Sequence, residues 1–184
     1  PFTLDRRNAE REWRAWMLGE KEGAALAFWL GEAPRVASTK SGRWITHAES
    51  GHAIWRDASL TARVDASPLG FGTLAAHGHL DAMHVSLWSE GQPLVIDAGT
   101  GGYYGDAALR AKLAAWEAHN GPVPVCGRNV PMRAGPFLWR EHHDVPKMEI
   151  VDEVCVVRFA CDGPFMKRSV QMAGRSARIT DEVC

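Results

Sequence analysis

Three histidines and an aspartate crowd into the stretch AAHGHLDAMH at residues 75–84. Imidazole and carboxylate groups move protons, ligate metals and contact sugars, so this density is a natural place to look for a site. Side chains two apart on a strand share a face. An extended segment would therefore point His77 and His79 together, on the parity of the apolar Met83, Val85 and Leu87. Imidazoles aimed at a core need polar partners, and a metal ion supplies one. His84 has the opposite parity and reads as a surface or packing residue. Asp97 ends PLVID, a strand that could return beside the first, and His119 follows a helical stretch. Two imidazoles and a carboxylate form the ligand set of a mononuclear site with an open position. The same spacing also suits hydrogen-bonded rim histidines, with Asp97 a turn former before Gly99.

A different metal set can be drawn from nearly the same residues. His79, Asp81 and His119 match the two-histidine, one-carboxylate triad of non-haem Fe2+ oxygenases, with Arg128 placed to hold a 2-oxoacid carboxylate. A cupin fits less well, because no Glu follows the HxH pair. A non-catalytic carbohydrate-binding sandwich with structural histidines is the third possibility.

The elements that must position these residues change character along the chain. Residues 5–30 read as helix, with Asp5 as N-cap and Ala9, Trp13, Trp16 and Met17 at helical spacing; Pro34 ends it. Beyond residue 40 the period becomes two. SLTARVDA and MHVSLW alternate, and SEGQ turns the second back into PLVID. Further strands are expected at 43–47, 52–57, 123–126, 137–140, 148–160, 167–172 and 177–183. Residues 107–118 are the one strong helical insert. EHHD at 141–144 reads as a solvated turn, Arg110 and Lys112 as charges on an exposed helix face, and most of the eight tryptophans as core. The pattern is mainly β, an antiparallel β-sandwich preceded by short helices.

Composition sets limits. A net charge of -1 over 184 residues offers no electrostatic case for nucleic acid or an anionic membrane. No apolar run approaches the roughly 20 residues that span a bilayer. Cys126, Cys155, Cys161 and Cys184 lack CxxC spacing and read as ordinary buried thiols.

Three ordered motifs then carry a resemblance. HGHLDAMHVSLWSEGQPLVIDAGTGGYYGD followed by EAHN resembles the heparinase II/III-like family of polysaccharide lyases: a His-Gly-His-x-Asp segment, an apolar strand ending in Asp-x-Gly-Thr with tyrosines after it, and Ala-His-Asn. The likeness extends more loosely over 35–183, through CGRNVP and RSVQMAGRSARITDEV. It implies a helical toroid followed by a sandwich, with residues 1–34 as the toroid's end and 35–184 as a sandwich truncated at its C-terminus. It implies β-elimination on uronic-acid polysaccharide, with His77 in the catalytic cleft, Tyr103 and Tyr104 against the substrate, and Zn2+ on His79, Asp97 and His119. The zinc would orient loops, since elimination needs no activated water. A histidine titrating near neutrality could serve as base or hold the neutralised carboxylate. An acidic polysaccharide or oligosaccharide is the implied partner, and a periplasmic or extracellular setting the implied location. The family's Ser/Thr-rich and aromatic-plus-Arg stretch is replaced here by AKLAAWEAHN. Its main catalytic tyrosine and carboxylate-binding Asn/His lie in the toroid, so residues 1–184 alone are expected to show negligible turnover.

Overall fold

The computed structural model describes residues 42–123, 131–160 and 165–183. The helix expected at 5–30, Arg128, Cys126, Cys161, Cys184 and most of the strand expected at 123–126 lie outside them.

Two antiparallel sheets form the body. The first is a meander in chain order: β1 (Arg43–His47), β2 (His52–Arg56), β3 (Leu60–Asp65), β4 (Val85–Ser89) and β5 (Gln92–Val95). A short ribbon follows, β6 (Met132–Arg133) paired with β7 (Trp139–Arg140). The second sheet joins β8 (Lys147–Val151), β9 (Val154–Ala160), β10 (Phe165–Ala173) and β11 (Ser176–Val183), each paired with the next. Alternation explains the faces. Leu60, Ala62 and Val64 of β3 are buried, as are Met166, Arg168, Val170 and Met172 of β10. Side chains of both sheets meet in one apolar cluster that includes Val64, Val85, Val157, Phe159 and Val170. This is sandwich packing. Of the five described tryptophans, Trp55, Trp116 and Trp139 are buried and Trp44 and Trp88 half-buried, as core residues should be.

Several elements depart from the sequence reading, each for a local backbone reason. The strand expected over 148–160 is two strands, because Asp152 and Glu153 both take left-handed φ (47° and 63°). Two such residues in succession make the mirror-image turn whose twist suits a hairpin. The helical insert is α1 (Ala107–Leu113), capped by the Asp106 carboxylate on the Ala108 and Leu109 N–H groups, then a 3-10 turn at Trp116–Ala118. β4 begins only at Val85, since Met83 sits at φ 66°. EHHD is not wholly solvated: Glu141 (φ 58°) turns the chain, and His143 is buried edge-on against Phe159, ring centroids 4.9 Å apart. Arg110 is not on an exposed face; it is 8% exposed.

Candidate functional site

The long connection from β3 to β4 carries the histidine segment, and it is not a strand. His77 takes φ 57°, so the shared-face argument for His77 and His79 does not hold. Backbone bonds to the β6–β7 ribbon hold the loop instead. His77 N–H donates to Phe137 O at 2.8 Å, and the Trp139 indole N–H donates to Gly78 O at 2.8 Å. The middle residue must be glycine for a steric reason. A Cβ on Gly78 would stand 2.9 Å from both Gly70 N and a Leu69 methyl. His77 is left exposed, its ring centroid 5.1 Å from Phe137 and 5.8 Å from Tyr103. Tyr103 is half-exposed and Tyr104 fully so.

Asp97 follows β5 and is turned inward by an Asx bond, Gly99 N–H to Oδ1 at 2.6 Å. His119 follows the 3-10 turn. The two meet, with His119 Nδ1 2.7 Å from Asp97 Oδ2. They lie at bonding distance but not at bonding angles, so Asp97 Oδ2 and both His119 ring nitrogens have no hydrogen-bond partner. His84 closes the group: the ligand atoms of His84, Asp97 and His119 lie within 4.8 Å of one another. His79 stands beside it. Its ring centroid is 5.6 Å from that of His119, and its Nε2 is 3.3 Å from the Thr100 hydroxyl. Asp81 does not belong to the group.

His84 is therefore no surface residue. It is 1% exposed, and the sequence reading gave it no part in the site. Period-two alternation could not reveal it, because the backbone reverses at Met83 and the start of β4 is buried on both faces, Val85 and Ser86 alike. What the sequence did offer was a third histidine within eight residues.

Electrostatics suit metal ligation. Burial pushes the Asp97 carboxyl up, but the His119 imidazole at 2.7 Å and the Gly99 N–H outweigh it and hold the group well below the usual carboxylate range. Burial, then the neighbouring His119, lowers His79, and burial foremost lowers His84. Neutral imidazole is the form that ligates a metal. Asp81 goes the other way: burial, then the Asp65 carboxylate, pushes it up to about 7, which disfavours the ionised form a metal takes.

Hydrogen bonds to the neighbouring backbone fix the ligands. Asn120 clamps the first residue of β4, accepting from Val85 N–H at 2.9 Å and donating to Val85 O at 2.7 Å. Arg168 reaches from the opposite sheet, donating to Met83 O at 2.8 Å and to Asn120 Oδ1 at 3.2 Å. One guanidinium thereby secures the residues next to both His84 and His119. Gly121 lets the chain pass; a Cβ there would lie 2.3 Å from Ala82 O.

His77, His79, Asp81, Asp97 and Thr100 line an open cleft of about 530 Å³ together with Glu49, Arg63 and Asp65. That volume accommodates a sugar-sized ligand.

The family model described as "Heparinase II/III-like, C-terminal" matches residues 40–183. No curated protein matches the chain.

Proposed function

Since this chain belongs to the heparinase II/III-like family, we propose that it is the sandwich part of a lyase that cleaves uronate-containing polysaccharide by β-elimination. One observation carries the reading: buried, unpartnered ligand atoms of Asp97, His119 and His84 cluster beside a cleft that presents His77 and that Asp97 also lines. An apolar or hydrogen-bonded packing role would not leave so many polar atoms without partners, because each costs about 1–3 kcal/mol.

Asp97 and His119 would hold a Zn2+ ion, with His79 and His84 as the flanking imidazoles. When bound, the ion supplies charge neutralisation for Asp97 and a fixed anchor for three loops. Four protein donors suit a closed structural site rather than a catalytic one.

The reaction needs a base for the C5 proton of a uronate. The electron pair left at C5 forms the C4–C5 double bond, the C4–oxygen bond breaks, and an acid returns a proton to the departing oxygen. His77, exposed at the rim and braced by Phe137, serves as that base or binds the uronate carboxylate. Tyr103 and Tyr104 offer the aromatic faces on which a sugar ring rests. A periplasmic or extracellular location follows from the substrate class.

The test joins metal content to product chemistry. Elemental analysis of the purified chain should give stoichiometric zinc, lost in Asp97→Ala and His119→Ala and retained in Asp81→Ala. The complete natural protein should release unsaturated uronate products, read by ultraviolet absorbance. A chain that takes up no zinc on reconstitution, or products that are saturated, would refute the proposal.

A further inference from the structure

Beside His77 lies a pair of guanidinium groups that the proposed chemistry leaves unused. Arg110, in the last turn of α1, turns inward. It donates to Tyr103 O at 2.6 Å, its guanidinium carbon lies 4.8 Å from the Phe137 ring centroid, and its Nε has no partner. Arg133 of β6 donates to Pro136 O at 3.0 Å and lies 4.9 Å over the Trp139 ring. Among the described residues neither has a carboxylate within salt-bridge distance. Both line one recess together with His77, His79 and Thr100. Two like charges in a partly desolvated recess with no counter-charge are costly, and an anionic ligand relieves that cost.

We propose that Arg110 and Arg133, next to His77, form an anion subsite for a carboxylate or sulfate group of an acidic glycan. The subsite rests on the glycan-cleft reading above and deepens it by assigning the charged end of the substrate. The size of the recess, about 10 Å³, admits a single oxygen atom rather than a sugar ring. The ring itself belongs in the larger cleft, which shares His77, Gly78, His79 and Thr100 with the recess. The larger cleft carries carboxylates, Glu49, Asp65, Asp81 and Asp97, beside Arg63, so the recess adds a guanidinium pair next to His77 that an anionic sugar can meet there. Burial, followed by the facing Arg110, depresses the Arg133 pKa, as expected for two cations awaiting a shared anion. Guanidinium is suited to the task, since its fixed fork of N–H donors gives a strong charge-assisted bond to the one oxygen the recess admits.

The test measures equilibrium binding of three probes to the complete natural protein: oligogalacturonate, its carboxyl-reduced neutral counterpart, and dextran sulfate. Oligogalacturonate, dextran sulfate or both should bind, and the neutral form should not. Binding of only one identifies carboxylate or sulfate as the source. Arg133→Gln should weaken the bound anion about tenfold or more and flatten its salt dependence. Arg110→Lys, which keeps the charge but loses the fork, should give a smaller loss. Wild-type affinity and salt dependence in Arg133→Gln, equal binding of the neutral oligosaccharide, or no saturable binding of either anion would overturn the subsite. The lyase reading is scored separately by zinc content and unsaturated product. Elimination that persists with unchanged affinity in Arg133→Gln refutes the subsite alone. Arginine-dependent binding without elimination refutes the lyase alone.

Discussion

Replacing Arg168 by methionine should do more damage than any surface ion pair, because its four bonds differ in worth. The side chain of Arg168 is 6% exposed and that of Asp181 is 43% exposed. Their paired contacts at 2.7 Å thus sit at the wet end of the guanidinium and are worth at most about 1 kcal/mol. The other end is dry. Losing it strands Met83 O and removes one of the donors to Asn120 Oδ1, each a bond from a charged donor worth about 1.5–3 kcal/mol. These two sum to about 3–6 kcal/mol, and removing one partner of a buried charged pair costs about 3–5 kcal/mol, so the loss is about 3–5 kcal/mol. For a domain of this size it lowers the melting temperature by roughly 6–20 °C. The change also frees the backbone beside His84 and His119, so zinc affinity measured well below the melting point should fall about 10–100-fold. Calorimetry and competition with a chromogenic chelator read the two effects. Asp181→Asn, which spares the dry bonds, should move the melting point by only a few degrees. If Arg168→Met melts within about 2 °C of the wild type, or binds zinc as tightly, the argument that this guanidinium ties the second sheet to the site is wrong.

Gly78→Ala should destabilise the chain by about 1–3 kcal/mol in urea, because the new methyl meets Gly70 N and a Leu69 methyl at 2.9 Å. Gly102→Ala, with nothing within 4 Å, should be neutral, and equal midpoints for the two variants would refute the steric account. Burial raises Asp57, but the N–H groups of Leu60 and Ser59 outweigh it and leave its pKa depressed. A depressed carboxyl stabilises fully above its unfolded pKa of about 3.9 and loses that contribution as pH falls through the folded value. The stability gap between wild type and Asp57→Asn should therefore close in acid; a gap independent of pH would count against it. Cys155 is fully buried, and burial pushes its thiol up to about 12. Mass mapping after iodoacetamide treatment should find it unlabelled until the chain unfolds, and rapid labelling of the native protein would contradict this.

Periodicity made the sheets legible and failed where φ turned positive. The strands at 52–57 and 167–172 could be read because one face of each packs inward, as the alternating burial of β2 and β10 records. Positive φ at His77, Met83, Glu141, Asp152 and Glu153 is carried by non-glycine residues, which adopt it only rarely, and each reset the parity downstream. Those resets account for His84, His143 and the division of 148–160. The aspartate and histidine at 97 and 119 meet at 2.7 Å for a different reason. They lie at the ends of separate elements, and no periodicity joins them; the order of the motifs did.

The resets also place His84 on the buried side of Asp97 while His77 faces the cleft. A continuous strand would also set residues 77 and 84 on opposite faces, but with His77 on the apolar face and His84 on the open one, the reverse of what is observed. Two left-handed residues six apart allow one segment to supply both a buried imidazole and an exposed one. Their strain, about 1–3 kcal/mol each, is sustained by the Trp139, Asn120 and Arg168 hydrogen bonds that fix the flanking backbone. The irregularity of this loop is thus the feature that separates the ligand shell from the substrate surface.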